Sequence, residues 1–65
     1  MTPDALREFR KSLRLSQSEF ARILGVSSDR TVRRWEEGER DIPGPVAVIV
    51  DIAKNFPAVA KWLAR

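Results

Sequence analysis

The apolar positions of this chain fall into short groups with helical spacing, each bounded by a cap or a breaker. Leu6, Phe9 and Leu13 form the inner stripe of a first helix, predicted over Pro3 to Arg14. Thr2-Pro3-Asp4 marks its start: a hydroxyl for the N-cap, a proline at N1 where a missing N–H costs nothing, and an acid near the positive end of the dipole. A second helix begins at Gln17, because Ser16 and Glu19 stand three apart as a capping box. Phe20, Ala21 and Leu24 line its inner face. Gly25 ends it, since glycine takes the left-handed conformation without a Cβ penalty. Val26, alone between Gly25 and two serines, is expected to plug the gap between helices. Ser27 or Ser28 can cap a third helix that has Asp29 in its first turn and Val32 and Trp35 facing inward.

Glu36-Glu37-Gly38-Glu39-Arg40-Asp41 reads as a helix end and a loop, with Gly38 as the stop. Ile42-Pro43-Gly44-Pro45 is a rigid connector, with Gly44 and Pro45 expected at the N-cap and N1 of a fourth helix, Pro45 to Lys54. Val46, Ala47, Ile49, Val50 and Ala53 make that helix almost wholly apolar, so it is expected to be the central buried element. Val48 points outward, where a second subunit can meet it. The β-branched content of residues 46–52 makes a strand the competing reading. No second strand exists to pair with it, which favours the helix. Pro57 opens a last helix to about Ala64, with Val59, Trp62 and Leu63 as its apolar face. Helical spacing makes Trp35 and Trp62 core residues in this reading, not stacking platforms. The expected fold is all-α, a compact five-helix bundle in one domain over 1–65, with a helix-turn-helix at about 16–37.

Composition narrows the function. Sixty-five residues with 43% hydrophobic content make one small globular domain. With no cysteine and no histidine, disulfides and the usual zinc sites are excluded, and neither metal nor cofactor is expected. The longest apolar run, Pro45 to Val50, is far too short to cross a bilayer, and the N-terminus lacks a signal-peptide pattern, so a cytoplasmic protein is expected. Glu36, Glu37, Glu39 and Asp41 stand without a histidine or a phosphate-cradling loop, and no serine has a base to activate it. The chain does not read as an enzyme.

Net charge is +3, but nine of the twelve basic residues lie at or before Arg40, which suits a polyanion partner for the front half. Arg30, Arg33 and Arg34 share the face opposite Val32 and Trp35, and two short helices joined at a glycine with such a face have the form of a helix-turn-helix. An arginine can donate two parallel hydrogen bonds to guanine O6 and N7, worth ~1–3 kcal/mol of discrimination, and Arg30 and Arg34 are one turn apart. The competing reading is a solvated cationic face with Asp29 pairing Arg33. Asp29 either accepts from cytosine N4 or repels wrong bases and holds Arg33. On the first helix Arg7 and Lys11 read as solvated. Arg10, next to Phe9 near the buried edge, can reach an acid such as Glu36.

The segments LRLSQSEFARILGVS, from Leu13, and TVRRWEEGERDIPGPVA, from Thr31, resemble the phage-repressor-like helix-turn-helix proteins of the Cro/C1 (XRE) type. The resemblance is close over Leu13 to Ala47 and covers all five helices in outline. It implies a lambda-repressor-like fold in which Ser28, Asp29, Arg30, Arg33 and Arg34 read bases. It further implies that Gln17 and Ser16 at the second helix, Arg10 and Arg40 meet phosphates, and that Arg10 pairs with Glu36. One departure is the turn: Ser28, Asp29 and Arg30 stand where the family has two residues. Either the turn is longer, with Ser28 as N-cap, or the third helix starts earlier and rotated; the longer turn is favoured because it keeps Val32 and Trp35 inward.

The expected function is sequence-specific binding of double-stranded DNA by a transcriptional regulator, a repressor or autorepressor in a phage or mobile-element setting. It would act as a homodimer on a pseudo-palindrome, through a surface that includes Val48, Val59, Trp62 and Leu63, without a small-molecule ligand or a membrane. An antitoxin that also represses its operon is the first alternative. A protein-interaction module without DNA binding is the second.

Overall fold

The structure, a computed structural model, describes residues 1–64. Among them are five helices and no strand: α1 (Pro3–Ser12), α2 (Gln17–Leu24), α3 (Asp29–Glu36), α4 (Gly44–Asn55) and α5 (Pro57–Leu63). The bundle measures 30 × 20 × 18 Å. α2 packs chiefly on α3, α4 on α5, and α1 on both α3 and α4.

Each helix start follows from its local chemistry. Thr2 Oγ1 accepts the Ala5 N–H at 3.1 Å. At α2 the capping box is complete: Ser16 Oγ accepts the Glu19 N–H at 3.0 Å, and Glu19 Oε1 accepts the Ser16 N–H at 2.9 Å. α4 begins one residue before its predicted proline, with Pro43 in the N-cap position and Gly44 and Pro45 inside the first turn. The Pro43 carbonyl takes the Ala47 N–H at 3.1 Å, and no side chain caps this end.

Three helices end in the same way. Past α2, the Val26 N–H reaches the Ala21 carbonyl while Gly25, at φ 75°, bonds to Arg22. Past α3, Glu39 reaches Arg34 while Gly38, at φ 77°, bonds to Trp35. Both are Schellman closures, with glycine where a left-handed residue is needed. α1 closes identically through Leu15 to Arg10 and Arg14 to Lys11, but its left-handed residue is Arg14, at φ 58°. This is why α1 stops at Ser12, short of the predicted Arg14. Ser12 Oγ also donates to the Phe9 carbonyl at 2.6 Å.

The core is Leu6 and Phe9 of α1, Phe20 and Ala21 of α2, Val32 and Trp35 of α3, and Val46, Val50 and Ala53 of α4. Phe9 and Phe20 meet with ring centroids 6.3 Å apart in a tilted arrangement. Val26 packs against this core from the turn. Two expectations are corrected. α4 is not buried all round: Val46, Val50 and Ala53 form one buried stripe, while Val48, Ile49 and Ile52 are 56%, 37% and 43% exposed. Trp62 is not a core residue either, being 60% exposed, although Val59 and Leu63 of the same helix pack against the core. Among the described residues no element covers this second face of α4 and α5.

Candidate nucleic-acid interface

The α2–α3 unit places its cationic side chains by burying what lies opposite. Val32 and Trp35 are 0% and 4% exposed, and they pin the inner face of α3. Arg30 and Arg33 are thereby left exposed, with Arg34 partly covered. The extra residue in the turn is accommodated by lengthening it. Ser28 stands extended in the N-cap position and Asp29 opens the helix, although the Ser28 side chain makes no capping hydrogen bond.

Ser28 and Asp29 are exposed and line an open cleft between α2 and α3 with Ser18, Arg22 and Ser27. Among the described residues Asp29 forms no ion pair with Arg33. It lies on the α2 side of α3, and Arg22, which the apolar pattern leaves as a mere outward residue, borders the same cleft. Arg40 is exposed in the loop after α3.

The buried edge of this unit is organised by one carboxylate. Glu36, at the end of α3, is 3% exposed. Arg10 Nε donates to its Oε2 at 2.7 Å and Arg10 Nη2 to its Oε1 at 3.0 Å. Arg10 Nη1 donates to the Leu15 carbonyl at 2.9 Å, so every nitrogen of this guanidinium has a protein partner. The structure therefore brings Arg10 and Glu36 together and engages the Arg10 guanidinium with protein partners, its side chain 12% exposed.

Arg7, expected to be solvated, is drawn into the same group. Its Nη2 donates to the Glu36 carbonyl at 2.7 Å and its Nε lies 3.7 Å from Glu36 Oε1. A further contact at 3.6 Å joins it to Asp4. The spacing within α1 could not reveal this, because the acceptor belongs to the last turn of another helix.

Gln17, the first residue of α2, donates from Nε2 to Glu36 Oε1 at 3.2 Å. Ser16 is occupied by the capping box, leaving its hydroxyl hydrogen as its only unassigned donor. The first N–H groups of α2 point out of the helix start, as in any α-helix, and favour an anion there.

Burial pushes the Glu36 carboxyl up, but hydrogen bonds from Arg10 and Gln17, with the charges of Arg10 and Arg7, outweigh it and hold the group below the usual glutamate range. Glu19 is also held low, by its hydrogen bonds with the Ser16 backbone and hydroxyl. Among the described residues no group of three or more His, Cys, Asp or Glu could hold a metal ion, and no helix is long and apolar enough to cross a membrane.

Away from this surface, Ile23, Ile49, Ile52, Val59, Trp62 and Leu63 line an open apolar groove of about 300 Å³ across α2, α4 and α5. Val48 and Trp62, expected at a subunit contact, are exposed, and Val59 and Leu63 are partly covered. Ile23, Ile49 and Ile52 belong to the same surface but were not singled out by their sequence pattern, which counted Ile49 as core.

Residues 6–54 match the family described as Helix-turn-helix. The chain is 53% identical over 55 residues to the type II methyltransferase M.SsoII of Shigella sonnei, across 80% of this chain and 14% of that protein. It is 36% identical over 62 residues to the type II methyltransferase M1.ScrFI of Lactococcus lactis subsp. cremoris, across 92% of this chain and 15% of that one. It is 30% identical over 66 residues to the antitoxin HigA-2 of Vibrio cholerae, across 100% of this chain and 62% of that protein. The chain thus spans less than two thirds of the length of each of these relatives. With an α2–turn–α3 unit seated on Val32 and Trp35 and three quarters of its length matched, the chain belongs to the helix-turn-helix family of the Cro/C1 (XRE) type, a family of DNA-binding transcriptional regulators.

Proposed function

We propose that this chain is a sequence-specific, double-stranded-DNA-binding repressor that acts as a homodimer on a pseudo-palindromic operator. The observation that carries the reading is the pairing of opposite faces on α3: Val32 and Trp35 sealed in the core, Arg30 and Arg33 standing in solvent. A helix held this way can enter a major groove and present guanidinium groups to base edges. Arg30 and Arg34 read guanines, with Arg33, Ser28 and Asp29 contributing at neighbouring positions. Gln17 and Ser16 at the start of α2 and Arg40 in the loop after α3 hold phosphates. Arg10 works from inside, as the partner of Glu36.

One small module buries too little surface for tight specific binding, so two copies are needed, with half-sites about one helical turn apart. The apolar surface of α4 and α5, with Val48, Val59, Trp62 and Leu63, is the dimer contact in this account. Repression follows from occupying a promoter, with no cofactor, small-molecule ligand or catalytic step assigned to this stretch.

A second reading is favoured by the match to antitoxin HigA-2 over the whole chain: an antitoxin-type protein that binds a toxin and represses its own operon. Co-expression with the product of the neighbouring gene separates the two, since only the antitoxin reading predicts a stable heterocomplex.

The test of the main reading is selection of bound duplexes from a random pool. A two-fold symmetric, guanine-containing site bound ~10³-fold or more above scrambled DNA is expected. No enriched sequence, with weak binding that vanishes as salt rises, would mean that the arginines see only phosphate.

A further inference from the structure

We propose that Glu36 is a positioning residue for DNA binding: by holding one N–H of the Gln17 side-chain amide it presents the other to a backbone phosphate. This rests on the reading above, in which Gln17 meets a phosphate. What is new is that the end of the recognition helix sets that contact from inside the protein.

Glu36 Oε1 accepts from both Arg10 Nη2, at 3.0 Å, and Gln17 Nε2, at 3.2 Å, while Oε2 accepts from Arg10 Nε at 2.7 Å. The carboxylate is thus fixed on two sides before Gln17 reaches it. A carboxylate has no hydrogen to give, so only the nitrogen end of the amide can face it, which settles the amide's orientation. The second hydrogen on that nitrogen is the donor left over, and Gln17 is the first residue of α2, where anions are favoured.

Two further features fit. A lone carboxylate beside a phosphate would repel it, but Arg10 and Arg7 flank Glu36 and offset its charge. A glutamine side chain also loses rotamer freedom when it binds, and a contact that already restricts it lowers that loss. Because Glu36 is on α3 and Gln17 on α2, the orientation of the phosphate contact is tied to the end of α3.

The experiment uses the duplex selected with the wild-type protein and compares Gln17→Met, the double variant Arg10→Met with Glu36→Met, and the triple variant. The double variant replaces a buried ion pair by apolar side chains, a change that folded proteins often tolerate, and thermal denaturation checks it. Gln17→Met and the double variant should each weaken binding roughly tenfold, as for one hydrogen bond to a charged group. The triple variant should lose no more, and base preference should be unchanged. Neutralising phosphates one at a time with methylphosphonate should identify one phosphate that stops mattering in both variants, which a general loss of rigidity would not produce.

Multiplying losses in the triple variant, or a double variant that binds like wild type, would overturn the role of Glu36 while leaving DNA binding intact. Failure of the wild-type protein to bind any duplex would remove the underlying reading instead. If the double variant does not fold, the Gln17 amide is followed by NMR in the wild type. One hydrogen should stay bonded to Glu36 with and without the duplex while the other shifts on binding. Two hydrogens that respond alike, as in an exposed amide, would contradict the proposal.

Discussion

Arg10 of α1 holds Glu36 of α3 through two hydrogen bonds of 2.7 and 3.0 Å, and Glu36 is the one buried charged residue among those described. The pair ties the first helix to the far end of α3. Removing either partner strands a charge in the interior, so Arg10→Met alone should cost about 3 kcal/mol. That is a large part of the ~5 kcal/mol a domain of this size can hold. The Arg10→Met/Glu36→Met double variant should recover most of the loss. Urea denaturation of the three proteins checks both statements.

The same carboxylate gives the protein an acid limit. Its folded pKa lies below its unfolded value, so its contribution is whole above the ordinary glutamate value of about 4.3 and is lost as pH falls through the lower folded value. Stability measured from pH 6 down to pH 2 should decline in that window. The decline should be shallower in the Arg10→Met/Glu36→Met variant, which lacks the titrating group.

Arg14 occupies a left-handed position that α2 and α3 fill with glycine. Left-handed backbone costs a residue with a Cβ roughly 1–2 kcal/mol, part of which is offset by the greater freedom of glycine in the unfolded chain. Arg14→Gly should therefore raise stability by about 0.5–1 kcal/mol, equivalent to a few degrees in Tm. Gly25→Ala, at φ 75°, should lower it by a similar amount. Thermal melts of both variants check the pair of opposite signs.

Ile52 is 43% exposed on the apolar surface of α4 and α5. If two copies meet there, Ile52→Lys should leave the thermal transition of the monomer nearly unchanged and weaken operator binding at least tenfold, since a half-site alone is held loosely. Sedimentation with and without operator DNA should find the dimer in the wild type and only the monomer in the variant.

Much of the recognition unit was legible in the residues themselves. The Ser16–Glu19 box, Gly25 and the three-residue separation of Val32 and Trp35 fix where α2 starts and stops and which side of α3 is inner. These are local signals, settled within one helix and its caps. What lay beyond them depended on neighbours. Spacing places Ile49 and Trp62 on apolar faces but does not say whether an element covers those faces, and both stand at least partly in solvent, at 37% and 60% exposed. Arg7 looked solvated because its partner is the last turn of α3, distant in sequence. The left-handed turn at Arg14 carried no glycine to announce it.

The base-reading role of α3 is the centre of the account, and one titration tests it most directly: wild type, Arg30→Ala and Arg34→Ala against the selected operator and against duplexes with each guanine replaced in turn. Each variant should lose ~1–3 kcal/mol on the operator and, at one base pair, cease to discriminate, while its binding to scrambled DNA changes little. Uniform weakening on every sequence, with a shallower salt dependence and discrimination intact, would contradict the account and make these arginines phosphate contacts.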